Sequence, residues 1–269
     1  MSKTVLITGA STGMGEAITF EYATRGWNVV ATMRNPAKAN PAFADLANVL
    51  VTSLDVTDTA SISRAVQAAV DRFGAVDAVV NAAGYGQLGA VEELSPEQVR
   101  DQFETNVVGI VQVVQAVLPQ MRERGSGHIL NVGSMGGHVS LPTMAVYCAS
   151  KSAVQNLTEG LAKELSPLGI HVTLVEPAGF HTNFATSSRM PATSIPDYAS
   201  SYAQMAEFDK LAVRGDLTKS MAAVAEITCA DEPPLHLALA TASLDMVRGH
   251  VAELLEEYAR WEPVTAGTD

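Results

Sequence analysis

The chain repeats one rhythm: a short run of β-branched and aliphatic residues, a turn carrying Gly or Asp, then an amphipathic stretch. The runs are Val5-Leu6-Ile7, Asn28-Val29-Val30-Ala31, Val49-Leu50-Val51, Ala78-Val79-Val80, His128-Ile129-Leu130 and Val172-Thr173-Leu174-Val175. They are apolar at successive positions rather than alternating, as expected of strands covered by helices on both faces. Between them, Gly15 to Arg25, Thr59 to Phe73, Glu97 to Arg124 and Tyr147 to Ser166 read as helices. Strands alternating with helices predict parallel βαβ units with right-handed crossovers. The expected fold is α/β, a doubly wound parallel sheet in three αβα layers.

Local signals sharpen some boundaries. Ser95-Pro96-Glu97-Gln98 reads as a helix start, with Ser95 as N-cap, Pro96 at the first helical position and Gln98 three residues on. Pro119 is expected to kink or shorten its helix. From Phe180 to about Asp231 the rhythm breaks into Pro, Ser and Thr with scattered Met, Phe and Tyr, which predicts an insertion at about 183–230. Leu235 to Leu239 reads as a last strand, Leu244 to Trp261 as a last helix, and Thr265 to Asp269 as a frayed tail. With no linker and no short repeat, residues 1–269 read as one domain.

Composition narrows the function. With 47% hydrophobic residues and 17% charged, the 28.3 kDa chain has ample material for a core. A net charge of −12 disfavours nucleic acid and anionic membrane surfaces as partners. Cys148 and Cys229 make neither a disulfide framework nor a metal cluster, and His128, His138, His171, His181, His236 and His250 are too scattered along the chain to suggest a metal site. The start, Met1 to Val5, runs straight into a strand without the apolar core of a signal peptide. No apolar run reaches the roughly 18 residues of a membrane span. A cytoplasmic location is expected.

Chemistry enters first at Thr8-Gly9-Ala10-Ser11-Thr12-Gly13-Met14-Gly15, which follows the first strand and opens a helix. The glycines allow a sharp turn and a close approach of backbone N–H groups to a pyrophosphate at the helix N-terminus. A Gly-rich turn with no ligand has the same spelling. Readers of NAD usually place an acid about 20 residues further on, to bond the ribose hydroxyls. Here the second strand ends Ala31-Thr32-Met33-Arg34-Asn35. Met33 stands where the acid would be. The Arg34 guanidinium can pair with a 2′-phosphate, with Lys38 in support, so NADP(H) is expected over NAD(H). Asp55, before Val56, either accepts from an adenine amino group or caps the next helix.

A second constellation lies further along. Tyr147 and Lys151 are four residues apart at a helix start and so share a face. A free phenol titrates near 10, and a neighbouring ammonium should lower that value, making Tyr147 a general acid or base. Ser134, beyond the fifth strand, lies where parallel sheets gather ligands and could hold a substrate carbonyl oxygen.

Taken in order, these motifs resemble the short-chain dehydrogenase/reductase family in its short single-domain branch. Thr8 to Gly15 is similar to its TGxxxGxG turn, Asn81-Ala82-Ala83-Gly84 to its NNAG segment, and Pro177 and Thr182 to its PGxxxT segment; Asn106, Ser134, Tyr147 and Lys151 fall at its catalytic positions. The match covers roughly residues 3–182. The resemblance implies a Rossmann-type domain that moves a hydride between a nicotinamide and a carbonyl or secondary alcohol. It implies Tyr147 as proton donor or acceptor, Ser134 orienting the substrate oxygen, and Lys151 binding the nicotinamide ribose while lowering the Tyr147 pKa. Asn106 would hold a relay water. Gly9, Ser11, Thr12, Gly13, Met14, Gly15, Arg34, Asp55, Val56, Asn81, Ala82, Gly84, Pro177, Gly179 and Thr182 would line the cofactor. Ala82 departs from the second Asn of NNAG and Ala178 from the Gly after Pro, although Gly179 follows.

The insertion carries Phe184, Met190, Ile195, Tyr198, Tyr202, Met205, Phe208 and Met221, which reads either as an apolar substrate lid or as ordinary packing. The resemblance implies dimerisation through the helices at 97–124 and 147–166, while the long C-terminal helix departs from the tetramer-forming pattern, so a homodimer or a monomer is expected. The expected activity is a ketone or aldehyde reductase for a fairly apolar small molecule. Its alternatives are an alcohol dehydrogenase of steroid or retinoid type, and an NADP(H)-binding sensor.

Overall fold

The computed structural model describes residues 2–182 and 184–269; Asn183, where the insertion is expected to begin, lies outside them. Seven strands form one sheet: β1 (Thr4–Thr8), β2 (Asn28–Met33), β3 (Val49–Ser53), β4 (Ala78–Asn81), β5 (Gly127–Val132), β6 (Ile170–Pro177) and β7 (His236–Leu239). All pair in parallel, in the order β3-β2-β1-β4-β5-β6-β7. The winding direction reverses between β1 and β4, which leaves a crevice above their carboxyl ends.

The unbroken apolar runs have a direct explanation. Successive side chains point to opposite faces, and each face has its own core. Leu6, Val30, Val79, Ile129 and Leu174 lie in one, with Ile62, Ala65, Val113, Val117 and Val154 from the helices of that face. Val5, Ile7, Val29, Ala31, Val80, Leu130 and Val175 lie in the other, with Ile18, Tyr22, Val224 and Ala225. Strands with both faces dry are apolar at most positions, and the polar exceptions such as Asn81, Asn131 and Thr173 are hydrogen-bonded. The doubly wound, three-layer α/β expectation is met.

The helices are α1 (Gly13–Thr24), α2 (Thr59–Phe73), α3 (Pro96–Phe103), α4 (Gly109–Arg124), α5 (Ala145–Leu165), α6 (Phe184–Ser187), α7 (Ala199–Leu211), α8 (Leu217–Ile227) and α9 (Thr241–Ala266). The Ser95 box forms as read: Ser95 Oγ accepts from the Gln98 N–H at 3.2 Å, and Gln98 Oε1 from the Ser95 N–H at 2.9 Å. Asp58, not Asp55, caps α2, accepting from the N–H groups of Ala60 and Ser61. The stretch read as one helix over 97–124 is broken by a wider π-turn at Glu104–Val108, which carries Asn106 inward. Pro119 lies inside α4, which runs on to Arg124. Past the expected end at Trp261, α9 continues through Pro263 to Ala266, so the expected tail is helical at its start. Among the described residues no helix is long and apolar enough to cross a membrane.

Candidate active site

The glycine turn between β1 and α1 is shaped by close backbone contact. Gly9 has φ +73°, and a Cβ there would lie 2.8 Å from the Ala83 Cα; one on Gly15 would lie 2.3 Å from the Gly9 carbonyl oxygen. Neither position admits a side chain. Thr8 Oγ1 ties the turn to the next strand by accepting the N–H groups of Ala82 at 3.1 Å and Ala83 at 3.0 Å. Gly13, at φ +62°, faces Thr182, where an added Cβ would come within 3.6 Å of the Thr182 Cβ. Between them opens a cleft lined by Thr12, Gly13, Glu16, Ala17, Phe20, His181, Thr182 and Leu217. Ser11 and Met14 flank the α1 N-terminus, with Met14 turned down toward Val80, Ala82 and Val132. The first amides of α1 thus face an open cleft, as a pyrophosphate requires.

At the far end of the crevice, Met33 is buried and Arg34 is exposed. Among the described residues Arg34 forms no ion pair within 4.0 Å, and Lys38 closes the short turn Pro36–Lys38 beside it. Asp55 Oδ1 already accepts from the N–H and the hydroxyl of Thr57, at 3.0 and 2.8 Å, and Val56 is buried against Gly109. Asn81 is buried, donating from Nδ2 to Asn131 Oδ1 at 2.9 Å. Pro177 ends β6 and hands the chain to Gly179 and Thr182, whose Oγ1 accepts from the Phe184 N–H at 3.3 Å. A Cβ on Gly179 would meet only Arg214 at an ordinary 3.5 Å, so no steric demand for glycine falls there. These residues fit a dinucleotide: a sterically enforced glycine turn, a helix N-terminus beside a cleft, and an exposed guanidinium without an ion-pair partner among the described residues.

The three residues separated in sequence as Ser134, Tyr147 and Lys151 come together beside Asn106. Ser134 Oγ accepts the Gly136 N–H at 3.0 Å, and the Ser134 side chain acts on Tyr147 to lower its pKa. Lys151 Nζ donates to the Val132 carbonyl at 2.8 Å and lies 5.9 Å from the centre of the Tyr147 ring. Asn106 donates from Nδ2 to the Tyr85 carbonyl at 3.0 Å and accepts the Tyr85 N–H on Oδ1 at 3.2 Å. A Cβ at Gly84 would come within 3.1 Å of Asn106 Oδ1 and 3.9 Å of Lys151 Nζ, so the absence of a side chain keeps that corner open.

The electrostatics differ from the simple expectation. Burial pushes Tyr147 up to about 12, only partly offset by its hydrogen bond to Ser134. Burial also pulls Lys151 down to about 8. Lys151 thus does not lower Tyr147 as expected from their spacing. Its Nζ is engaged by the Val132 carbonyl, and loss of solvent acts on both groups more strongly than either acts on the other.

Other residues at the site had no motif to mark them. The Phe184 ring from α6 lies 5.4 Å from the Tyr147 ring, and the Arg189 guanidinium stacks 4.3 Å from the centre of the Tyr85 ring. Glu93 fastens the insertion from below: its buried carboxylate accepts the Ala90 N–H, the Ile195 N–H and the Tyr202 hydroxyl. Cys148 is buried beside Tyr147, consistent with packing. The histidines, scattered along the chain, do not all stay apart in space: His138 and His236 meet at Glu176, with donor atoms within 4.8 Å of one another.

Comparison with known proteins gives a consistent picture. Residues 3–192 match the family described as short chain dehydrogenase. The chain is 34% identical to Oxidoreductase BOA17 of Botryotinia fuckeliana, covering 95% of this chain and 94% of that one. It is 34% identical to a 3-ketodihydrosphingosine reductase of Bacteroides thetaiotaomicron, over 86% and 85%. A solved short-chain dehydrogenase from Streptomyces avermitilis superposes with a TM-score of 0.92 at 37% identity, covering 100% of this chain and 99% of that one. Two others, both 28% identical, were solved with different cofactors. An actinorhodin polyketide ketoreductase holds NADPH (TM-score 0.74, 88% and 95% covered), and a protein from Burkholderia phymatum holds NAD (TM-score 0.80, 92% and 92%).

Proposed function

The chain belongs to the short-chain dehydrogenase family, and from that premise we propose that it reduces a fairly apolar ketone or aldehyde with NADPH, or oxidises the matching alcohol with NADP+. The observation that carries the reading is the convergence of Ser134, Tyr147 and Lys151 at the carboxyl edge of the sheet, on elements far apart in sequence. A nicotinamide held there would supply or accept the hydride. The chain's own residues handle the proton and the orientation. The hydroxyls of Ser134 and Tyr147, near enough for Ser134 to draw the Tyr147 pKa down, can both turn toward one substrate oxygen. Tyr147, held protonated by burial, is then set to donate. Lys151 keeps an ammonium behind it, held by the Val132 carbonyl and available to a ribose hydroxyl. Asn106 braces the Tyr85 backbone and would hold the relay water from the same side chain.

Two finer points rest on the surroundings. Preference for NADP(H) rests on exposed Arg34 following buried Met33, where no carboxylate is placed to take ribose hydroxyls. The apolar substrate rests on Phe184 over Tyr147 and on the insertion that Glu93 fastens, read as a lid; the relative named for a sphingoid ketone is compatible with it. A homodimer, with a solution mass twice 28.3 kDa, belongs to the same reading. Oxidation of NADPH and NADH, followed in parallel over a panel of ketones and aldehydes, tests it. Turnover is expected with NADPH first. Arg34→Ala should raise the KM for NADPH about tenfold or more, an ion pair to phosphate being lost, and leave NADH unchanged. Equal use of NADH by the wild type would refute the role of Arg34, and no turnover with either cofactor would refute the reaction.

A further inference from the structure

His138, Glu176 and His236 come from three separate elements: the short turn after Ser134, the end of β6, and the first residue of β7. They converge on one carboxylate oxygen. His138 Nε2 hydrogen-bonds Glu176 Oε1, and His236 Nδ1 lies 3.4 Å from the same atom. The Glu176 side chain is 5% exposed, so it is a carboxylate withdrawn from water. A second observation bears on the same site. The other nitrogen of His236, Nε2, lies 3.6 Å from Glu159 Oε1 on α5. A carboxylate behind an imidazole, fixing which nitrogen faces inward, is the arrangement found behind metal-ligating histidines.

We infer that His138, Glu176 and His236 form a binding site for a borderline divalent cation of the Zn2+ class. The inference is independent of the reaction assigned above. Two imidazoles and one carboxylate are ligands of that class, and three protein ligands leave a fourth position for water. Donor atoms around a tetrahedral ion with bonds of about 2.0–2.2 Å stand roughly 3.3–3.5 Å apart. The Glu176–His236 pair already has that spacing at 3.4 Å; the His138 nitrogen, which sits closer to Glu176, must draw back. His236 is 38% exposed on its side chain, which gives the ion a way in from solvent. Glu159 would orient His236 without ligating.

The site has a mechanical consequence. The turn carrying His138 is bonded directly to Ser134, whose carbonyl accepts the Gly137 N–H at 2.9 Å, and Glu176 immediately precedes Pro177. An ion would tie together the segments that carry Ser134 and the Pro177–Thr182 loop.

The test uses the full chain after chelator treatment, titrated with Co2+ at pH 7.5 and followed by visible absorption. One equivalent should bind, with the intense d–d bands of a tetrahedral nitrogen and oxygen site, no thiolate charge-transfer absorption, and displacement by Zn2+. His236→Gln, at a half-exposed position where folding is not at risk, should weaken binding at least tenfold with an unchanged circular dichroism spectrum. Glu159→Gln should weaken it about tenfold, as loss of an orienting carboxylate does. Absence of saturable binding at millimolar Co2+, or binding unaltered in His236→Gln, would overturn the proposal and leave a hydrogen-bonded cluster.

Discussion

Lys151 offers the sharpest quantitative prediction. Its ammonium is buried, holds one hydrogen bond of 2.8 Å to the Val132 carbonyl, and titrates near 8 instead of the usual 10.5. That difference corresponds to about 3 kcal/mol against the charged form, the cost of stripping water from an ammonium and returning one carbonyl. The proposed reaction needs the charge, to hold the nicotinamide ribose. The kcat/KM for NADPH reports groups of the free enzyme. Measured from pH 6.5 to 10 with a saturating ketone, it should hold level and then fall about tenfold per pH unit above pH 8. Tyr147, near 12, contributes no break in that range. Lys151→Arg replaces the group with one that stays charged throughout, so the break near 8 should vanish even if the plateau drops. A wild-type profile flat to pH 10 would refute the desolvation argument. A break at 8 surviving in Lys151→Arg would assign it to another group.

Tyr147→Phe removes the proton donor while leaving the ring against Phe184. Turnover should fall roughly 10²–10⁴-fold, the range for a positioned acid, with NADPH affinity by fluorescence titration within about twofold of wild type; retained turnover would unseat the residue. Acid stability carries a separate signature. His128, buried and bonded through Nε2 to Thr173 Oγ1, is held down to about 4 from 6.5 by burial. The unfolded chain therefore binds the extra proton between those values, and stability falls as pH drops through that window, by about 3 kcal/mol in all. His128→Gln should lose less over the same window in urea titrations; parallel losses in the two proteins would show that His128 is not the group responsible.

The parts of this molecule legible in the sequence are those governed by local rules. Strand runs were visible because two dry faces favour apolar residues at successive positions, and the Ser95 box because cap and partner lie three residues apart. Where two local solutions competed, the sequence left the choice open. Asp55 reads either as an acceptor for an adenine amino group or as the cap of α2; the structure gives the cap to Asp58, while Asp55 turns back on Thr57. The π-turn at Glu104–Val108 was hidden for a different reason. A single widened turn barely disturbs the apolar period of a long helix, so 97–124 reads as continuous. What fixes the turn is Asn106, whose amide is satisfied by the Tyr85 backbone from a different connection. The extension of α9 through Pro263 was masked in the same way, since proline is read as a stop and its cost at an exposed helix end is small.

The catalytic residues were identifiable as residue types at a spacing, but their ionisation was not. Spacing says that Tyr147 and Lys151 share a helix face; it does not say how much water reaches them. A partly hydrated pair would have shown the expected effect, with the ammonium drawing the phenol down. In this fold α5 buries both side chains to within 7% of full exclusion, and exclusion moves a neutral acid and a cationic one in opposite directions. Tyr147 becomes a firmly protonated donor and Lys151 a cation close to losing its proton. The same consideration explains why Glu176 escaped notice. Residues 138, 176 and 236 carry no shared periodicity, and only the adjacency of β6 and β7 in the sheet, with the turn after β5 folded over them, brings two imidazoles to one buried carboxylate. Chemistry that depends on strand order rather than on spacing becomes visible only when the sheet is assembled.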